Sequence, residues 1–209
     1  MRMALPKGRL LEGVLDKLAQ VGLGFDFQGP RDYRPTTSAG VEAKLVKARV
    51  VPQIVALGNM HVGFCGLDLV RESDYEQVVP IANLTLNRVE IVVAVPHGDA
   101  DLLTSPPRRP LLIATEYEHL ADRWATEHNL AHIILQTHGS TEAYAPEDAD
   151  IILDCVETGA TLAANGLTAI QTLFVSTTYM VASRFALDDP TLGPAIRALA
   201  ARLESEKST

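Results

Sequence analysis

The sequence predicts an α/β protein built as two units, and three observations carry that reading. Short β-branched runs alternate with amphipathic helical stretches along most of the 209 residues, the pattern of strands joined by helices over a parallel or mixed sheet. The alternation breaks once, at 97–110 (HGDADLLTSPPRRP), where Pro, Gly and Asp gather as in a surface loop or link. Beyond it the alternation resumes, so the chain reads as a first unit over 1–90 completed by 175–209, and a second over 91–174.

Taken in order, MRMALP reads as a strand. In GRLLEGVLDKLAQVG the residues Leu10, Leu11, Val14, Leu15, Leu18 and Val21 share one helical face, and Gly22 and Gly24 stop the helix. AKLVKARV reads as a strand and VPQIVALG as a short helix opened by its proline. HVGFC is a strand leading into GLDLVRES. RVEIVVAVP is a long β-rich run able to pass from one unit to the other. In the second unit LLIAT, AHIILQT and DIILD read as strands, EHLADRWATEHN as a helix, and GSTEAYAPED as a turn or short helix. LTAIQTLFVSTTYMVASR predicts two successive strands returning to the first unit. Leu192, Ile196, Leu199 and Leu203 line a last amphipathic helix, with Asp188 and Asp189 before it as capping candidates.

A hydrophobic content of 47% suffices for real cores. No apolar run reaches the roughly 20 residues of a spanning helix, and the N-terminus lacks the apolar core of a signal peptide, so a soluble cytoplasmic protein is expected. Cys65 and Cys155 lie far apart in apolar surroundings and read as two reduced, buried thiols. The net charge of -8 argues against a nucleic-acid surface, yet residues 1–50 hold nine Lys or Arg against five acids, a net of +4. That asymmetry suits a compact anionic ligand.

DCVETGATLAANGL (154–167) opens the end of an apolar strand into a loop of small donors. Successive amides, a helix N-terminus, Gly159 and the hydroxyls of Thr158 and Thr161 make a phosphate-binding arrangement. Asp154 and Glu157 are acceptors suited to ribose hydroxyls or to a magnesium-chelated ligand. The bland alternative, plain helix capping by Thr and Gly, fits the same residues. A second site reads from ALPKGRL, where Lys7 and Arg9 occupy the first strand-to-helix turn, the usual ligand end of an open α/β sheet. Basic side chains there oppose the helix dipole unless an anion relieves them.

ALPKGRLLE, GNMHVGFCGLDLV, the GSTE at 139–142 and DCVETGATLAANGL, in that order over nearly the whole chain, resemble the ATP phosphoribosyltransferase family. The resemblance implies two periplasmic-binding-protein-like α/β domains with a ligand cleft between them. It implies an enzyme of histidine biosynthesis that joins N1 of ATP to C1 of 5-phosphoribosyl 1-diphosphate, Mg2+ accompanying the diphosphate. The length looks like the short form, which works with a regulatory subunit related to histidyl-tRNA synthetase, and a homodimer is expected as the basic unit. By the same similarity Glu157, Thr158, Gly159, Ala160, Thr161 and Leu162 hold the 5-phosphate and Asp154 meets the ribose. Arg34 and Arg9 contact diphosphate and nucleotide phosphates as the catalytic arginines, and Lys7 assists, with Lys47 or Arg49 as further charge. The chain departs from the family pattern at Val50 and His61, and in the polar 143–149 stretch.

No Ser/His/Asp set is evident, and displacement at an anomeric carbon does not require one. His128 and His132 have helical metal-ligand spacing without a completing acid or cysteine, and no metal site is assigned. Trp124 reads as packing between helix and sheet, and Tyr117 and Tyr144 are ambiguous. The competing functional class is a non-catalytic module that binds a phosphorylated ligand in the same kind of cleft.

Overall fold

The run RMALPK forms β1 (Arg2–Lys7), whose alternation sends Met3 and Leu5 to one core and Ala4 to another. The computed structural model describes residues 1–29, 31–37 and 39–205. There follow α1 (Leu11–Gln20), β2 (Glu42–Lys47), α2 (Val51–Ala56), β3 (Val62–Gly66), α3 (Leu67–Ser73) and β4 (Val78–Asn83). The expected strand 43–50 is therefore cut short: Ala48–Val50 is a 3-10 turn that feeds α2, where Pro52 sits in the first turn and loses no hydrogen bond.

β5 (Val89–Pro96), β6 (Leu111–Thr115), α4 (Glu118–Glu127), β7 (His132–Gln136), β8 (Ile151–Val156), α5 (Ala160–Ala164) and β9 (Leu167–Ser176) come next. The chain ends with β10 (Thr178–Ser183), α6 (Arg184–Asp188) and α7 (Leu192–Ser205). It divides into two units, Met1–Asn87 with the segment from Thr177 onward, and Arg88–Ser176. Of the two strands expected to return, only β10 does so; β9 stays with the second unit, paired along its length with β5.

The first unit carries a sheet in the order β2-β1-β3-β10-β4, with β1, β2 and β3 parallel and β10 antiparallel to its neighbours. One face packs Val14 and Leu18 of α1 and Ile196 and Leu203 of α7 on Met3, Leu5, Phe64 and Met180. On the other, Val51 and Val55 of α2 meet Ala4, Cys65 and Val181. Gly63 on β3 permits the close approach of α2: a Cβ there would lie 2.5 Å from Cγ1 of Val51. Gly63→Ala is expected to lower stability by about 1–3 kcal/mol through overpacking, read as a reduced midpoint in denaturant with an unchanged slope.

The second unit carries the order β7-β6-β8-β5-β9, in which β6 is parallel to β7 and β8, and β5 runs antiparallel to β8 and β9. Trp124 of α4 is 3% exposed and donates its indole N–H to Oε1 of Gln171 on β9 at 2.9 Å, packing helix on sheet as expected. Cys65 is buried, and burial pushes its thiol far above the usual range. Cys155 is only half-buried, one residue from the carboxyl end of β8. Asp189 caps α7 by accepting N–H bonds from Thr191 and Leu192, both at 2.8 Å, whereas Asp188 belongs to α6 and is no cap.

Candidate functional site

In the second unit, β8 ends at Val156 and the chain turns through Glu157, Thr158 and Gly159 into α5. Gly159 is the residue before the helix and adopts φ 77°, a left-handed conformation that other side chains resist. Gly159 itself offers no side chain as a cap, and the Ala160 N–H lies 3.4 Å from Oγ1 of Thr158. The first intrahelical bond runs from the Ala163 N–H to the Gly159 carbonyl at 3.1 Å. The amides of Ala160, Thr161 and Leu162 thus have no partner within the helix, which is the general state of a helix start. The side chain of Leu162 is buried in the core of this unit, so only its main-chain amide faces the turn. Thr158 and Thr161 are exposed. The Thr158 hydroxyl thus gives the helix start one long side-chain bond, and both readings of the loop fit this geometry.

Asp154 lies at the carboxyl end of β8, half-buried, and accepts the Cys155 N–H at 2.7 Å. Burial pushes its carboxyl up to about 6; repulsion from Glu142 and Glu116 adds to this, while the Cys155 amide and the Thr141 hydroxyl pull the other way. Thr141 belongs to the GSTE motif and shares a 2.8 Å hydroxyl contact with buried Thr137. The motif therefore sits beside Asp154 as its support. Reading the sequence assigned GSTE no role and missed Thr137 and Glu116, which lie on segments that no local spacing links to Asp154.

In the first unit, Lys7 is the last residue of β1 and pairs in register with Lys47, the last residue of β2. Arg9 follows in the turn to α1, and Arg49 lies in the 3-10 turn after β2. Four basic residues thus gather at the carboxyl ends of two parallel strands. Arg34 belongs to a loop braced from several sides. Its base is closed by the Asp26–Thr36 bridge, and the Tyr33 carbonyl accepts the Leu45 N–H at 2.9 Å. Within it, the Asp32 carboxylate accepts the amides of Arg34 at 2.9 Å and Gln28 at 3.1 Å, bonds that hold its pKa below the usual range. The ammonium of Lys7 stands 4.2 Å from the centre of the Tyr33 ring, a cation–π contact that ties the loop to β1. Gln28, Gly29, Arg31, Asp32, Arg34 and Thr36 line a cavity of about 570 Å3.

His128 follows α4 and His132 opens β7, so the helical spacing expected for a shared ligand does not arise. His132 instead contacts Asp122 and the Leu130 carbonyl, both at 3.0 Å. Among the described residues no group of three or more His, Cys, Asp or Glu side chains could hold a metal ion. His61 meets the Arg2 amide through Nδ1 at 3.1 Å, at the amino ends of β1 and β3 and so at the opposite end of the sheet from Lys7. Tyr117 is buried and Tyr144 packs against the core of the second unit.

Two sheets, one in each unit, place the chain in the class of two-unit α/β folds. The BvgS VFT2 domain of Bordetella pertussis shares the fold, with a TM-score of 0.56 over 100% of this chain and 88% of that one at 14% identity. Residues 47–205 match the model of the HisG family, ATP phosphoribosyltransferase, and the chain belongs to that family. It is 32% identical over 196 residues to the ATP phosphoribosyltransferase of Chlorobium chlorochromatii, covering 91% of this chain and 66% of that protein. With the Chlorobium luteolum enzyme the identity is 30% over 210 residues, 98% of this chain and 70% of that one. The chain therefore spans about two thirds of the length of these relatives. A chain of the ATP phosphoribosyl transferase (HisG:HisZ) complex from Thermotoga maritima superposes with a TM-score of 0.84 at 25% identity, over 98% of this chain and 97% of that one.

Proposed function

We propose that this chain is an ATP phosphoribosyltransferase, joining N1 of the ATP adenine to C1 of 5-phosphoribosyl 1-diphosphate in histidine biosynthesis. The observation that carries the reading is the start of α5 behind Gly159, within the stretch matched by the family model. The amides from Ala160 to Leu162, with the hydroxyls of Thr158 and Thr161, hold the donor's 5-phosphate. Asp154 accepts from the ribose hydroxyls, and Glu157 flanks the turn. Lys7, Arg9 and Arg34 bind the diphosphate and nucleotide phosphates.

In the reaction the N1–C1 bond forms as the bond from C1 to the diphosphate oxygen breaks, and the diphosphate departs with the electron pair. Positive charge grows on the sugar and negative charge on the leaving group, so placed cations and alignment do most of the work. Mg2+ arrives on the diphosphate as part of the substrate.

The Thermotoga maritima complex supports a second subunit as partner, and a homodimer as the catalytic unit fits the same scheme. Such a biosynthetic role belongs to the cytoplasm, and among the described residues no helix is long and apolar enough to cross a membrane. A fold does not fix a function, and the rival reading is a module that binds a phosphorylated ligand without reaction. Mixing the chain with ATP, the ribosyl donor and Mg2+, with and without the HisZ-type subunit, separates the two. Ultraviolet absorbance of the N1-alkylated adenine should rise only when both substrates are present; silence under both conditions assigns the chain to the rival.

A further inference from the structure

Thr115, Thr137 and Thr141 are buried where the parallel neighbours β7, β6 and β8 reach their carboxyl ends. A buried hydroxyl is costly unless it is bonded, and valine has the same shape without that cost. Thr115 uses its hydroxyl within the fold, donating to the Leu153 carbonyl at 2.7 Å and accepting the Tyr117 N–H at 2.8 Å. Thr137 and Thr141 do not. Their hydroxyl oxygens lie 2.8 Å apart, and the Thr141 hydroxyl reaches on to the Asp154 carboxyl. Among the described residues the Thr137 hydroxyl has no other partner, so the pair leads only to Asp154.

Proton counting fixes the direction of this short chain. An ionised Asp154 can only accept, so Thr141 donates to it, and the Thr141 oxygen then takes the Thr137 proton. Every hydrogen of the pair is used. Thr137 polarises Thr141 in this arrangement and strengthens its bond to the carboxylate, since linked hydroxyls reinforce one another away from water. Opposing influences face the same carboxyl: burial, and the charges of Glu142 and Glu116, favour its neutral form. The Cys155 N–H meets Oδ1 at 2.7 Å. Two bonds, one from β8 itself and one from the turn after β7, thus restrain the plane of the carboxyl, and its remaining lone pairs keep a set direction at the ligand end of the sheet.

We propose that Thr137 is a positioning residue for the ribosyl donor: acting through Thr141, it holds Asp154 ionised and in the plane that accepts the ribose hydroxyls. Thr137 is buried and meets no substrate itself. The inference rests on the reading of Asp154 as the ribose acceptor. It gives a function to a residue outside the GSTE motif, and to a hydroxyl at Thr141 that packing alone does not require. Loss of either hydroxyl lets the carboxyl keep its proton to higher pH, and donor binding then weakens where the proton is still on.

Carboxyl-carbon NMR of the free chain, with the Asp154 signal assigned by its loss in Asp154→Asn, tests the relay without a ligand. Thr141→Val should raise the titration midpoint of Asp154 by about one pH unit, and Thr137→Val by about half as much. In a Thr141→Val background the further change Thr137→Val should move nothing, because the relay has one outlet. Thr137→Ser keeps the hydroxyl and should keep the wild-type midpoint. Calorimetric titration with 5-phosphoribosyl 1-diphosphate and Mg2+ reads the consequence. Near pH 6, where wild-type Asp154 is half ionised, Thr137→Val should bind about twofold and Thr141→Val about fivefold more weakly than wild type, the gaps closing toward about pH 8. A midpoint unmoved by Thr137→Val, or moved equally with and without the Thr141 hydroxyl, overturns the relay. A raised midpoint that donor affinity does not follow overturns the positioning role. A wild type that binds no donor at any pH means that the reading of Asp154 as ribose acceptor has failed, and the role of Thr137 falls with it.

Discussion

Arg34→Ala is expected to lower kcat by about 10²- to 10³-fold while the KM for the ribosyl donor moves far less. The departing diphosphate gains charge as the C1–O bond stretches, and a guanidinium meets such oxygens through two parallel bonds that tighten as the charge grows. Interaction that strengthens in the transition state appears in kcat rather than in KM. The loop supports this assignment because its order precedes any ligand. Asp32 clamps the Arg34 amide, Tyr33 is fastened to β2 through Leu45 and to β1 through Lys7, and the Asp26–Thr36 bridge closes the base. The backbone is thus held before a ligand engages, and the exposed side chain is what remains to be ordered. Initial rates with each substrate varied in turn check the expectation. Arg34→Lys should recover part of the loss, since a point charge restores attraction without the fork. An unchanged kcat in the alanine variant removes Arg34 from the chemistry and leaves it a binding residue at most.

Local periodicity explains which elements could be read from the sequence. Val14 and Leu18 of α1, and Ile196, Leu199 and Leu203 of α7, repeat at helical spacing, and they are the residues that reach the core. β1, β3 and β10 likewise show in their alternation which residues face each side. The start of α5 could be read because its residues are close in sequence: Asp154 near a strand end, then Gly159 between Thr158 and Thr161. What failed was non-local. LTAIQTLFVS and TTYMVAS look alike as β-rich runs, and nothing local says that the first completes the sheet of β5 while the second pairs with β3 and β4. The last residues of AKLVKARV turn into a 3-10 helix that feeds α2, which their β-branched and basic composition does not announce. The surroundings of Asp154 are assembled from Glu116, Thr141 and Glu142, on separate segments before β8, so no spacing in the sequence announces them. The brace on Arg34 depends on Asp32, two residues away, and on Leu45 across the strand edge; the first is a short-range turn signal that sequence reading could have used.

Asp154→Asn is expected to move stability and donor binding in opposite directions. The carboxyl titrates at about 6 in the folded protein against an ordinary value of 3.8, so between those two pH values the folded state holds more protons than the unfolded state. Stability then falls as pH rises through that window, because the unfolded chain ionises first and the folded one bears the cost of a buried charge. The loss is fully present above about pH 6 and amounts to about 3 kcal/mol at most. Asparagine carries no charge to bury, so the variant should melt higher than wild type at pH 8 and match it near pH 4, where the aspartate is protonated in the folded protein. Donor binding should weaken by about tenfold or more, since the amide replaces one carboxylate oxygen with a donor that the ribose hydroxyls do not need. An acid kept where it destabilises the empty protein, beside two further carboxylates, makes sense if hydroxyl donors and magnesium-borne charge arrive with the ligand. Isothermal titration with the ribosyl donor and Mg2+, alongside thermal melts at both pH values, reads the two effects separately. Gain of stability without loss of affinity would leave Asp154 a mere flaw in the end of β8, and loss of affinity without gain of stability would mean that its charge is already balanced in the free protein.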